Sequence, residues 1–500
     1  MMVEVIMLKQ VVTIKEMRMI EQKTFKNQHI SSFDLMIKVG KKMFQRFLRE
    51  KQKMTDILII CGLGNNGGDA LVFGEEAHQN GYKVTAVMIG DAKNQTSESS
   101  AMTNRYFEKN IPFQYANSNK EFQQIINQLS DIDLIIDGIF GIGCTRNVEG
   151  LYLDVIGWIN KQENMIISID IPSGLHADTG KIMGIAVKAN VTYAVHAYKQ
   201  GLLLEDAMDC TNEIIVIDAD MEEIENEKYM MKKFSPMPKR PHNSHKYYYK
   251  NVLTIGGQKG VMGAITLAGY SALNAGAGLS TVATNIENQQ NLIQTIPELM
   301  YEVINDVEDT RQLLIKKDAV LFGLGARKTT PFEEMIYEEI TNLEIPIVLD
   351  ANGIQLLKKN KIRKNTRIVI TPHYGEFSKL MDIEVKELKE NLLYFIQKCI
   401  KTYDCEIILK GSTTIYATKK QIIYLNQGTS ALAKAGSGDV LSGIILTYLA
   451  RNIPLEQGVL VHMLAGQEAS KTKHIESVLA SDIISHIPLV YKKVSKGEYT

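Results

Sequence analysis

The sequence predicts two α/β domains in tandem, and three observations carry that prediction. Five hundred residues exceed what one core sustains, since single cores stop growing near ~250–300 residues. Apolar runs of strand length alternate with helix-period segments almost throughout, the pattern of βα units on a parallel sheet. Those runs fall into two series parted by residues 221–246, a charged stretch with Pro236, Pro238 and Pro241 and no clean periodicity. The boundary is therefore expected near 228–238, giving domains over 1–228 and 236–500.

The first series runs through 56–63, 83–90, 133–140 and 164–171, the second through 250–257, 317–325, 345–351, 366–372 and 405–411. Each has apolar content enough for its own core, and neither shows a repeat at solenoid spacing. Lys+Arg 56 against Asp+Glu 57 leaves no field to hold a polyanion, so nucleic acid is not an expected partner. The five cysteines are scattered without a C-x-x-C pair and are expected as reduced thiols rather than disulfides or zinc ligands. MMVEVIMLKQ carries Glu4 inside its apolar stretch and lacks a cleavage site, so no secretory signal is expected. No run approaches the ~20 apolar residues of a membrane span, and the expected compartment is the cytoplasm.

In the first half, the strand at 56–63 runs into CGLGNNGGDALVFG, a glycine-rich loop opening a helix that Gly81 terminates. Backbone N–H groups at such a helix start favour phosphate. Gly62, Gly64 and Gly67 satisfy G-x-G-x-x-G and Asp91 sits where a Rossmann protein holds a ribose, so a hydride-transferring dehydrogenase is one reading. Asn65, Asn66 and Asp69 add side-chain oxygens that a plain dinucleotide fingerprint does not need; the bland reading is a polar turn with Asp69 capping the helix. Asp137 and Asp170 close two further strands, followed by GIGCTRN (141–147) and by PSG with Ser173. Carboxylates at the C-terminal ends of neighbouring parallel strands converge on one crevice.

In the second half, Gly436, Ser437 and Gly438 form a tight turn before a helical stripe of Val440, Leu441, Ile444, Ile445, Tyr448 and Leu449. Its amides make an anion hole with Asp439 on the first turn, the layout phosphoryl transfer requires; a glycine loop before a core helix is the bland alternative. Lys410 and the hydroxyls after it suit nucleotide phosphates or ribose, without forming a Walker A loop. His373 and Glu376 follow one strand end and Asp350 another. Lys434 adjoins the anion hole, where it either assists phosphate or faces solvent, and the tyrosines 247–249 are expected to pack at a domain or sheet edge.

In order, G-x-G-N-N-G-G-D, D-x-x-F-G-x-G-x-x-R, D-I-P-S-G-L, the stretch Ala189 to Thr192, and Lys199 to Gly201 resemble the NAD(P)H-hydrate epimerases over about 8–220. The resemblance implies a Rossmann-like three-layer α/β/α domain. Asn65, Asn66, Gly67, Gly68, Asp69 and the loop Gly141, Ile142, Gly143, Cys144, Thr145, Arg146 and Asn147 would hold the hydrated dinucleotide. Asn66, Asp137 and Ser173 would offer oxygens to a potassium ion, and Asp170 would meet the hydrated ring. A buried aspartate with a raised pKa suits the acid/base work at C6, with Lys199 a second candidate. Ala70 and Ile142 depart from the family's usual glycine and threonine, and LMIKVG (35–40) varies its L-M-x-x-A-G.

The segments SHK (244–246), IGG with GA (255–264), GAGL (276–279), GLG, D-A-N, T-P-H-x-G-E, L-K-G and G-S-G-D resemble the ADP/ATP-dependent NAD(P)H-hydrate dehydratases over about 238–495. That implies a ribokinase-like α/β fold in which Ala264, Gly325, His373 and Asp439 face the substrate. Lys410, Gly411, Ser412, Thr413, Thr414 and Gly438 would hold the adenine nucleotide. Asp170 and Asp439 are the implied catalytic residues, NADHX and NADPHX the substrates, and magnesium and ADP the dehydratase cofactors, ADP rather than ATP because the fused branch uses it; self-association is also expected. The rivals are a small-molecule kinase of the ribokinase superfamily joined to a nucleotide-binding accessory domain, and a non-enzymatic nucleotide-sensing or partner-binding module with a degenerate pocket in the first half.

Overall fold

Residues 9–226 and residues 227–500 make two compact units in the computed structural model. The structure describes residues 8–49, 54–129, 131–234, 240–291, 295–326, 328–358 and 366–499. Pro236, Pro238 and most of the N-terminal stretch weighed as a signal lie outside the described residues. Among the described residues no helix is long and apolar enough to cross a membrane, and all five cysteines are free and buried.

The first unit opens with two helices, α1 (Ile14–Gln28) and α2 (Ser32–Leu48), each started by a capping box, Thr13 with Glu16 and Ser31 with Asp34. Then come β1 (Asp56–Cys61), α3 (Asn65–Gln79), β2 (Lys83–Ile89), α4 (Ser97–Glu108) and β3 (Phe113–Ala116). After them follow α5 (Asn119–Ile126), β4 (Leu134–Gly138), α6 (Leu151–Ile159), β5 (Met165–Ile169), β6 (Ala189–Val195) and β7 (Thr211–Ile217). The sheet is wholly parallel in the order β3-β2-β1-β4-β5-β6-β7. The strand order reverses between β1 and β4, so the crevice between the diverging loops opens beyond their C-terminal ends. Gly40 lets α2 close on α3, since a Cβ there would strike Val72. Ala70 is fully buried against Gly138, so the alanine is accommodated because the facing strand residue lacks a side chain.

The second unit contains β8 (Asn251–Gly256), α7 (Gly263–Asn274), β9 (Leu279–Asn285), β10 (Met300–Ile304), β11 (Ala319–Leu324), β12 (Ile347–Leu349) and β13 (Ile368–Ile370). These are followed by α8 (Tyr374–Met381), β14 (Cys405–Leu409), β15 (Thr414–Ala417), β16 (Ile422–Leu425), α9 (Ser437–Ala450) and α10 (Leu455–Thr472). The order is β10-β9-β8-β11-β12-β13-β14-β15-β16, with Lys228–Met230 parallel to β16. Strands β8 to β14 run parallel, and β15 and β16 form an antiparallel hairpin between β14 and the strand Lys228–Met230. The core helices α7 and α9 touch closely: a Cβ at Gly443 would strike the backbone of Ala268. The tyrosine run divides, with Tyr247 and Tyr248 exposed and only Tyr249 buried beneath the Arg240 guanidinium, 3.9 Å above its ring; that exposure corrects the expectation of edge packing for the first two.

Candidate active sites of the two units

A cleft of about 500 Å³ lies over the switch point of the first unit, within the ~300–1,000 Å³ usual for small-molecule sites. Asn65, Asn66 and Asp69 from the start of α3, Gly141 to Cys144 from the loop after β4, and Asp170 after β5 all line it. Gly67 and Gly68 serve packing instead: a Cβ on the first would collide with the Gly62 carbonyl and on the second with Met36. Thr145 lines an adjoining depression with His176, while Arg146 and Asn147 are exposed. The bland reading of Asp69 fails, because the cap of α3 is Gly64 and Asp69 stands a full turn inside the helix. Asp91 caps its own short turn, accepting from the Lys93 amide at 3.0 Å.

Asp170 takes a left-handed backbone, φ +65°, uncommon for a residue with a side chain and often found at functional sites. Its Oδ1 accepts the Val195 amide at 3.1 Å and pairs with the Lys199 ammonium. Lys199 is fully buried and also donates to the carbonyls of Val195 at 2.6 Å and Ala197 at 3.4 Å, so its charge is locked in place. With Lys199 committed to Asp170, a neighbouring carboxyl is left to hold a proton. Desolvation, then the charges of Asp170 and Glu21, push Asp69 well above the usual carboxylate range, against the pull of Lys199. Glu21, entering the cleft from α1, is itself raised by burial and by Asp170. The Cys144 thiol is pushed up by burial, which disfavours a nucleophilic thiolate.

Beneath the cleft, Asp137 is fully buried. Its oxygens accept from Ser173 Oγ at 2.5 Å, Ser168 Oγ at 2.7 Å, and the amides of Ser173 at 2.9 Å and Ile139 at 3.2 Å. None of these partners is cationic, and burial pushes the carboxyl up. Ser173 Oγ also lies 3.2 Å from the Phe140 carbonyl, and the buried Asn66 Nδ2 has no partner. A buried carboxylate with hydroxyl and carbonyl oxygens nearby and no countercharge fits an alkali cation, so Asp137 and Ser173 suit potassium.

In the second unit, α9 begins at Ser437 behind Gly436, whose φ of +88° demands glycine. Ser437 Oγ is 3.1 Å from Nε2 of His462 on α10, an imidazole that burial pushes down to about 4 and so keeps neutral. Asp439, in the first turn, is raised to about 7 by desolvation, then by Asp350, with Lys410 opposing. Lys410 Nζ bonds Asp350 Oδ1 at 2.9 Å, and a Cβ on Gly438 would lie 3.4 Å from it, so the ammonium sits under the turn. Desolvation works against that ammonium, yet Asp350 and Glu376 hold it above its ordinary range. Asp350 Oδ2 accepts Ser442 Oγ at 2.5 Å, and the next residue, Ala351, is left-handed at φ +48°.

His373 caps α8, its Nδ1 accepting the Gly375 amide at 3.0 Å and the Glu376 amide at 3.3 Å, which leaves Nε2 as the ring's donor. Ala264 opens α7 and Gly325 follows β11 at φ +64°, where a Cβ would meet the Val261 carbonyl. Gly411 and Ser412 are exposed; Thr413 and Thr414 are buried, and Thr413 Oγ1 has no partner. Lys434 reaches away to the Glu476 carbonyl at 2.7 Å. Among the described residues no group of three His, Cys, Asp or Glu side chains is placed to hold a metal. Lys199 stands in the segment to Gly201 and is legible there as a second acid/base candidate, whereas no local motif marks Glu21.

Two family models match, the YjeF-related protein N-terminus over residues 32–201 and NAD(P)H-hydrate dehydratase over residues 252–489. The bifunctional NAD(P)H-hydrate repair enzyme Nnr of Coxiella burnetii is 31% identical over 471 residues, covering 92% of this chain and 94% of the relative. Its counterpart in Escherichia coli K12 is 29% identical over 91% of this chain and 89% of its own. Among solved structures, the ADP/ATP-dependent NAD(P)H-hydrate dehydratase from Bacillus subtilis, co-crystallized with ATP/Mg2+, matches 52% of this chain and 94% of its own at 25% identity and a TM-score of 0.47.

Proposed function

The chain belongs to the bifunctional NAD(P)H-hydrate repair enzymes, and from that premise we propose that its first unit interconverts the C6 epimers of NADHX and NADPHX while its second dehydrates the S epimer using ADP. The observation that carries this reading is the pair of carboxyl centres, one per unit, each raised beside a lysine already committed to a second aspartate.

In the first unit, Asp170 receives the hydrated ring, held in orientation by Lys199 and the Val195 amide, while Asp69 holds the proton needed at the departing C6 hydroxyl. Asn65, Asn66 and the loop from Gly141 would seat the dinucleotide. Potassium, where bound by Asn66, Asp137 and Ser173, would supply countercharge beneath the loops.

In the second unit, Asp439 takes the proton of the C6 hydroxyl as that oxygen bonds the terminal phosphorus of ADP, and AMP departs. The phosphate then leaves with the C6–O electron pair and a proton is lost from C5, restoring the double bond of the reduced ring. Lys410 and the amides of Ser437 to Asp439 stabilise the transferring charge. Magnesium would neutralise charge on the phosphates. His373, Ala264 and Gly325 would line the substrate side, and Gly411 to Thr414 the nucleotide side. A cytoplasmic setting, self-association and domain limits at 1–228 and 236–500 belong to the same proposal.

The test incubates the full chain with mixed epimers, ADP or ATP, and magnesium, following the return of reduced-nicotinamide absorbance. Consumption of both epimers is expected. Stable phosphorylated product without recovery of NADH would instead favour the small-molecule kinase.

A further inference from the structure

Inversion at one carbon sets a requirement that a single acid/base centre does not meet. The hydroxyl of the hydrate leaves one face of the ring: a carboxyl gives it a proton, the C6–O bond breaks, and the N1 lone pair forms an iminium as water departs. Water then adds to the opposite face, a carboxylate takes its proton, and N1 regains its pair. The step is neither oxidation nor reduction, and one proton is delivered for each removed. By microscopic reversibility the two faces need like groups, because each epimer is the product of the other.

The cleft supplies a third carboxyl. Asp69 comes from the N-terminal part of α3 and Asp170 from the loop after β5, both at the sheet's C-terminal edge, whereas Glu21 comes from α1, a separate wall whose Met17, Glu21 and Phe25 repeat at four-residue spacing along the cleft. We propose that Glu21 is the second proton-transfer group of the epimerase site, serving the ring face that the Asp69 and Asp170 pair does not. The inference rests on the epimerase reading above. Glu21 is half-buried, and the charged groups around it are Asp170 and Lys199 from the sheet edge, Asp69 from α3 and Arg18 on its own helix. Burial and Asp170 favour its protonated form, with Lys199 and Arg18 opposing, so it is suited both to give and to take a proton.

The test uses the full chain and a single purified hydrate epimer without adenine nucleotide, separating the epimers by chromatography over time. Glu21→Gln is expected to lower kcat for exchange by about 100-fold or more, to leave KM within about threefold, and to strip one limb from a bell-shaped kcat profile. Dehydration of the S epimer with ADP, performed by the other unit, should match wild type, and denaturant unfolding of the variant reports whether the first unit is folded. An unchanged kcat with both limbs present overturns the role. Should Glu21→Gln unfold the first unit, Glu21→Asp decides: a lowered kcat with the bell kept supports the assignment, and an unchanged kcat overturns it. A wild-type chain that exchanges no epimers removes the epimerase reading itself, and this inference with it.

Discussion

The two units reach one electrostatic arrangement from different materials. In each, a lysine near the end of the sheet is tied to one aspartate, Lys199 to Asp170 and Lys410 to Asp350, and another carboxyl, Asp69 or Asp439, is left to hold a proton. In each, a left-handed backbone position adjoins or coincides with the paired aspartate, Asp170 itself and Ala351. The lysines differ in what else they touch. Lys199 is sealed in and bonded to two carbonyls, a fixed charge that can only orient its neighbours. Lys410 keeps a fifth of its side chain exposed under the glycine turn, where an incoming phosphate can meet it. On the proposed function one arrangement would serve rearrangement of a ring and the other transfer of a charged group, the difference lying in access to the ammonium.

Removing the two lysines separates these roles. Lys199→Met strands Asp170 without its partner and should cost about 3–5 kcal/mol of the first unit's stability in denaturant unfolding. Lys410→Met strands the equally buried Asp350 and should cost a similar amount, but it should also act on catalysis: with Lys410's opposing charge gone, the midpoint of the dehydration profile moves above about 7 and the KM for ADP rises. An unmoved midpoint and an unmoved KM for ADP in Lys410→Met would erase the contrast.

Asp439 also carries a folding cost of known sign. Its folded-state pKa is raised from 3.8 to about 7, so the folded chain binds the proton more tightly and stability falls as pH rises between those values. Asp439→Asn should be more stable than wild type at pH 8, by about 2–4 kcal/mol, with the gain gone below the ordinary carboxylate range. Thermal melts at several pH values read this directly. In activity, dehydration should rise once, through about pH 7, as Asp439 becomes a base, whereas epimer exchange, needing one protonated and one ionised carboxyl, should be bell-shaped. Smallest of all, Lys434→Ala should change the KM for ADP by no more than about twofold, since that ammonium is spent on the Glu476 carbonyl.

Much of this was legible in the sequence. The continuous apolar runs at 56–63 and 405–411 became central strands because strands buried on both faces show no polar alternation. Asp439 was readable because its glycine turn and helical stripe are contiguous. Glu21 was not: on α1 it is one acid among Lys15, Glu16 and Lys23, and only the fold turns its face inward. The Lys199 pair was equally hidden, since it joins residues 29 positions apart, one just after β5 and the other just after β6. The hairpin β15–β16 escaped because ATKKQ carries none of the glycine or asparagine signals that mark tight turns.

The central claim, that each unit holds its own acid/base centre, is tested most directly by following both epimers and reduced-nicotinamide absorbance in Asp170→Asn and Asp439→Asn, each given pure R hydrate with ADP and magnesium. The account predicts opposite failures: the first variant leaves the R epimer untouched yet still dehydrates added S hydrate, and the second equilibrates the epimers without recovering the reduced coenzyme. Loss of both activities in either variant, or of neither, would contradict it.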